Sequence, residues 1–199
     1  MSTITTEQIK ELRDSTGISV MQCKKALEEA KGDMDRAIEI LKKKAGAAAS
    51  KKSGRALGAG IISSYIHGNK NVGVMIELGC ETDFVAKNDD FTTLANDISM
   101  HIAAMAPEYI SESDITDEDK KKAKDIYTEE VKKSDKPENI KKKMLEGKIN
   151  AYFTERVLLT QKFIKDPNVT IQDLINEATQ KIGERIEMIR FKRFEVGKE

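Results

Sequence analysis

Apolar residues fall at two different periods along this chain, and the switches between them mark its elements. Thr5-x-x-Gln8 has the capping-box pattern, and Ile9 and Leu12 begin a helical stripe that Thr16-Gly17 breaks. Ser19-x-x-Gln22 repeats the box, and Cys23, Ala26, Leu27 and Ala30 follow at i, i+3, i+4, i+7. Gly32 suits the position after a helix and Asp33 the cap of the next, in which Met34, Ala37, Ile38 and Leu41 share a face. Three helices of this length predict a small bundle near the lower limit for independent folding.

The period then changes to two. Ile62, Ser64 and Ile66 alternate with Ile61, Ser63 and Tyr65, and His67-Gly68-Asn69-Lys70-Asn71 reads as a turn. Val72, Val74, Ile76 and Leu78 share one face of a returning strand, so a β-hairpin with one buried face is expected. Asn88-Asp89-Asp90 can cap a long helix whose apolar side is Phe91, Leu94, Ala95, Ile98, Ile102 and Met105, ended by Pro107. Residues 112–148 hold as many acidic as basic side chains around a sparse stripe of Ala123, Ile126, Tyr127 and Val131. Ser134-Asp135-Lys136-Pro137 is a turn, and Ile140 and Met144 resume the stripe, which predicts a protruding antiparallel helical hairpin. Val157 to Ile164 looks strand-like, Lys165-Asp166-Pro167-Asn168 is a turn, and Thr170-x-x-Asp173 caps a helix carrying Ile171, Leu174, Ile175 and Ala178. Residues 185–196 read as a final strand whose apolar parity shifts between Met188 and Ile189, where a bulge is expected.

The fold class is therefore α+β. A three-helix bundle spans residues 1–45 and a basic linker 46–56. An antiparallel-sheet core with helices spans 57–199, its helical hairpin at about 112–150. The whole basic run, 42–55, has no acidic residue and reads as a tether made partly helical by its alanines. It has no aromatic residue for stacking on bases. Charged residues are 34% of the 199 and aromatics 5%, which favours helices with broad solvated faces. Formal net charge is zero, so nothing steers the whole chain toward nucleic acid or an anionic membrane. Met1-Ser2-Thr3-Ile4 shows no targeting pattern, no apolar run nears a membrane span, and Cys23 and Cys80 form no metal-ligand pair. A cytoplasmic protein without membrane, metal or cofactor is the expectation.

Catalytic chemistry is not evident. Gly46 and Gly54 lack phosphate-loop spacing, and neither a nucleophile elbow nor a His-Glu-x-x-His motif occurs. His67 and His101 are isolated, and each is expected at the surface or half-buried. A binding protein is favoured over an enzyme.

Two stretches carry a resemblance. One is Leu12-Arg13-x-x-Thr16-Gly17-x-x-x-Met21-x-Cys23-Lys24-Lys25-Ala26-Leu27, followed by Ala30-x-Gly32-Asp33. The other is Cys80-Glu81-Thr82-Asp83-Phe84-Val85-Ala86. With the closing Arg190-Phe191-x-Arg193-Phe194-Glu195-Val196-Gly197, they resemble the elongation factor Ts family. The resemblance implies a guanine nucleotide exchange factor in translation elongation. Such a factor binds elongation factor Tu, disturbs its Mg²⁺ and phosphate site, and makes or breaks no bond of its own. It implies a ubiquitin-associated-like fold for the three helices, a coiled-coil role for the hairpin, and a homodimer, as in the short form of the family. Thr82, Asp83, Phe84 and Val85 match the segment that intrudes into Tu. Leu12, Arg13, Val20 and Met21 match the contact of the N-terminal module. Asp83 would cap the following helix and hold Phe84 outward. Spacing alone reads Phe84 as core, and the resemblance turns it into a contact; Met21 would be bundle core, but Cys23 and Leu27 already fill that face and leave it for a contact. The chain has Val20 before Met21 and Gln22 after it, and stops shortly beyond Gly197, so contacts of the longer members' C-terminal extension are not assigned. Three rivals remain at this stage: an adaptor for another helical partner, an RNA-binding accessory protein using residues 42–55, and a cryptic enzyme.

Overall fold

The computed structural model describes residues 4–134 and 136–198; the readings placed on Met1-Ser2-Thr3 and on Asp135 lie outside them. At the N-terminus, α1 (Thr6–Thr16) starts on a full capping box in which Thr5 and Gln8 exchange side-chain-to-backbone hydrogen bonds. Ser19 precedes α2 (Val20–Glu29), but the second box does not form. Its hydroxyl donates to Gln22 Oε1 at 3.0 Å instead of accepting a backbone N–H. The side chains satisfy each other, a local competition open to short polar residues. Asp33 accepts the Arg36 N–H and starts α3 (Met34–Lys52). Leu12, Ile18, Cys23, Ala26, Leu27, Ala30, Ala37 and Leu41 close a separate small core.

The expected tether is largely helix. α3 continues through residues 46–52, which were placed in the linker, because Ala47, Ala48 and Ala49 favour helix and one face finds a surface to cover. That surface is α8 (Ile171–Ile182): Ala45 is buried, and Lys52 Nζ donates to the Thr179 carbonyl at 3.2 Å.

Beyond it, β1 (Ala59–Ile66) and β2 (Val72–Cys80) form the predicted hairpin, and β3 (Ile186–Glu195) pairs antiparallel with the other edge of β2. Val74, Ile76, Leu78 and Cys80 point inward from the central strand. The bulge is where the parity shift put it: Glu77 pairs with Arg190 and Leu78 with Met188, leaving Ile189 as the extra residue. The one-turn α4 (Asp83–Ala86) leaves β2, and α5 (Asp89–Met105), capped by Asn88, crosses the inner face beside α8. Met105 ends α5 exposed rather than on its stripe. The charged pair α6 (Asp117–Lys132) and α7 (Glu138–Thr154) packs as a helical hairpin. At its base, Ile115, Ala123, Phe153 and Val157 make a third small cluster.

Two expectations in this core need correction. Val157 to Ile164 is no strand; Leu158–Thr160 is a 3₁₀ turn. The segment's backbone N–H groups go to separate partners, Leu158 and Leu159 to the Tyr109 and Ile110 carbonyls and Phe163 to that of Val169, so only isolated bridges form. His101 is fully buried, because the segment after that turn covers a second side of α5. Its Nε2 lies 3.0 Å from Gln161 Oε1, and Phe163 packs on the ring. Burial holds its pKa below the ordinary value.

Candidate partner-binding site

β2 ends buried and polar groups take over at once. Cys80 is inside, its thiol pushed up by burial and therefore held protonated, and it donates to the Thr82 carbonyl at 3.2 Å. Thr82 is extended and caps α4, its hydroxyl accepting the Val85 N–H at 3.4 Å. The cap is therefore Thr82, not Asp83. A residue capping a helix needs non-helical backbone, and Asp83 is already the first helical residue.

The four residues of this turn face in different directions. Val85 is buried in the main core and anchors the turn. Phe84 is 80% exposed, the most exposed large apolar side chain among the described residues. Asp83 is exposed beside it and pairs with Lys87 at 3.0 Å, which holds its carboxyl below the usual range and keeps it ionised. A rigid ring aimed at solvent from a turn pinned by Val85 and Thr82 is a contact with nothing yet to bury it.

Two buttresses hold the turn from outside. Glu184, just after the Gly183 stop of α8, accepts the Thr82 N–H at 3.0 Å on one oxygen and the Thr82 hydroxyl at 2.7 Å on the other. Glu81 accepts the Arg185 N–H at 2.6 Å and pairs with Arg55 at 3.1 Å, and these contacts depress its pKa. The Arg185 guanidinium meets the Arg55 carbonyl and Glu187. None of these buttresses stood out in the sequence. Glu184 is over a hundred positions from Thr82, and only the Gly183 helix stop hinted that the chain turns there.

The N-terminal module presents a second exposed apolar spot. Val20 and Met21 open α2, and Met21 is 62% exposed. Arg13, in the last turn of α1, is also exposed, but Leu12 is completely buried in the module's core. Leu12 thus supports the contact surface without forming it. The α1–α2 loop leans on the core domain: a Cβ on Gly17 would meet Lys181 Cε at 3.1 Å. Lys181 in turn pairs with Asp90 at 2.9 Å, at the start of the helix after α4. Lys181 thus lies between the loop that leads into α2 and the start of α5, the helix after the Phe84 turn.

Cavities open at the surface away from Phe84, one of them reaching Arg185 and Glu187 of the buttress. Gly46, Ser50, Asn176 and Ile189 line one, Ile66, Met75 and Phe194 a second, and Tyr109 and Arg190 a third. Among the described residues no cluster of His, Cys, Asp and Glu could hold a metal ion, and no helix is long and apolar enough to cross a membrane.

Comparison with known proteins agrees over almost the whole chain. The family described as Elongation factor TS matches residues 5–198. Elongation factor Ts of Thermosipho melanesiensis is 50% identical over 194 residues, 98% of this chain and 99% of that protein. Those of Carboxydothermus hydrogenoformans and Geobacter sulfurreducens are 49% and 46% identical, each over 98% of this chain and over 89% and 90% of their own lengths. These matches show that the chain belongs to the elongation factor Ts family of translation elongation factors.

Proposed function

We propose that the chain is a guanine nucleotide exchange factor for elongation factor Tu, and that α4 is the part that drives GDP out. The observation that supports this best is Phe84, fully presented on a turn whose neighbours are buried or bonded. A GTPase holds GDP through Mg²⁺ and phosphate-loop amides that offset the diphosphate charge. A side chain wedged among the segments supporting that ion leaves the charge poorly compensated, and GDP departs faster. Phe84 is rigid and brings a large apolar area; Asp83, ionised and exposed, supplies an acceptor beside it. Thr82 and Val85 set the turn. Val20, Met21 and Arg13 make the second contact, on the ubiquitin-associated-like module. The exchange is reciprocal by linkage: the factor weakens GDP as much as GDP weakens the factor. No bond is made or broken by this chain and no cofactor is needed, and its place is the cytoplasm.

A homodimer belongs to the same proposal. The outer face of the sheet exposes Ile62, Ile66, Met75 and Phe194, with Val196 just beyond β3. Ile66, Gly73 and Phe194 sit side by side across the three strands. These side chains share the face with Ser64, Glu77, Arg190 and Lys192, and an apolar patch flanked by both signs of charge fits a second copy of itself. The RNA-binding alternative finds less support. Lys44, Lys52 and Arg55 of the basic run are engaged with Glu29, the Thr179 carbonyl and Glu81 of this chain.

The test is release of a fluorescent GDP analogue from purified Tu. The reading expects acceleration by the wild-type chain that rises with its concentration and saturates. GDP release unchanged at every concentration would remove it and leave an adaptor for another partner.

A further inference from the structure

Phe84 is exposed, so no packing of its own fixes where it points; the direction has to come from the turn beneath it. That turn is very short. α4 has four residues, too few to be stable as an isolated helix. Its shape depends on Thr82, and Thr82 is gripped from three sides. Cys80 donates to its carbonyl, Val85 N–H donates to its hydroxyl, and Glu184 accepts both its N–H and its hydroxyl proton. Of these partners, only Glu184 comes from a distant element. It is also the only carboxyl group among them, and a carboxylate acceptor makes the stronger kind of hydrogen bond.

Glu184 directs the hydroxyl as well. With its proton given to Glu184, the Thr82 oxygen has a lone pair free for the Val85 N–H, the side-chain cap of α4, while the Ala86 N–H closes the turn onto the Thr82 carbonyl at 3.2 Å. Glu184 itself is held in place by its neighbours in sequence. Gly183 ends α8 in the left-handed conformation at φ 91°, and Arg185 is tied by its N–H to Glu81. Glu81 also takes Arg55, just beyond α3. The turn of Phe84 is thus clamped onto the C-terminus of α8 and, through Glu81, onto the segment leaving the N-terminal module.

From this geometry we infer that Glu184 is a positioning residue for exchange, fixing the Thr82 cap so that Phe84 stands in the orientation that enters the partner. The inference rests on the exchange reading above. The hydrogen bonds of Glu184 go to Thr82, not to Phe84, Val20 or Met21. Loss of Glu184 should therefore leave encounter intact and lower the rate at which the bound factor expels GDP.

The experiment compares wild type, Glu184→Ala, Glu184→Gln and Phe84→Ala as full chains in GDP release from Tu across factor concentration. Amide hydrogen exchange at Val85 and Ala86 is read on the factor alone. Glu184→Ala is expected to lower the maximal release rate about tenfold, with half-saturation moved less than about threefold. Amide exchange at Val85 and Ala86 should quicken while the unfolding midpoint stays close to wild type. Glu184→Gln keeps one acceptor oxygen for the Thr82 N–H and should recover part of the rate, which a loss of general stability would not show. Wild-type maximal rate in Glu184→Ala, with Phe84→Ala impaired, overturns the positioning role and leaves the exchange reading standing. A wild-type chain without effect on GDP release removes the exchange reading, and the role of Glu184 goes with it.

Discussion

Phe84 and His101 are opposite uses of a ring, one left in solvent and one sealed in the core. Because Phe84 is 80% exposed, Phe84→Ala removes almost no native packing, and chemical denaturation should place its stability within about 0.5 kcal/mol of wild type. His101 carries a pH signature instead. Burial lowers its pKa in the folded chain below the ordinary 6.5, so folding favours the neutral ring. That contribution is complete above the ordinary value and is lost as pH falls below it toward the folded-state pKa. The unfolding midpoint of wild type should therefore fall more steeply below pH 6.5 than that of His101→Gln; parallel profiles would contradict it. Sequence spacing misplaced both rings. A helical stripe shows which side of α5 faces the sheet, but not that Gln161 and Phe163 return to cover another side. Phe84 sits too near both a strand end and a one-turn helix for either period to place it; only the family motif did.

At the scale of elements, the sheet was the more readable half. The alternation of Val72, Val74, Ile76 and Leu78 gave the inward face, and the parity break gave the bulge at Ile189, because a period of two leaves no freedom once one face is buried. α3 was less readable. Lys51, Lys52 and Ser53 look like tether, and what keeps residues 46–52 helical is α8, which no local pattern reveals. Ala45, on the buried side of α3, tests that dependence. Ala45→Asp places a carboxylate in a buried position and should cost roughly 3 kcal/mol in denaturant unfolding. An unchanged midpoint would mean that the segment behaves as a tether after all. The cap of α4 is a smaller term: Thr82→Ala removes one N-cap oxygen and the hydroxyl bond to Glu184, a loss of about 1 kcal/mol.

For the whole molecule, the exposed face of the sheet is where the proposed homodimer would form. Phe194 is 62% exposed beside Ile66, and a charge there would be buried in any dimer built on this face. Sedimentation equilibrium should find wild type dimeric and Phe194→Glu monomeric; a monomeric wild type would end the homodimer proposal. In the same proposal one partner meets both the Phe84 turn and the Val20–Met21 end of α2, and Lys181, between Gly17 and Asp90, links the neighbouring segments. The most direct measurement of that proposal is the GDP release rate from Tu at saturating factor, wild type against Asp83→Ala/Phe84→Ala. The account predicts fast release by wild type and its near-complete loss in the double variant, with both chains equally folded. Equal rates for the two would contradict it, because GDP would then leave without the wedge.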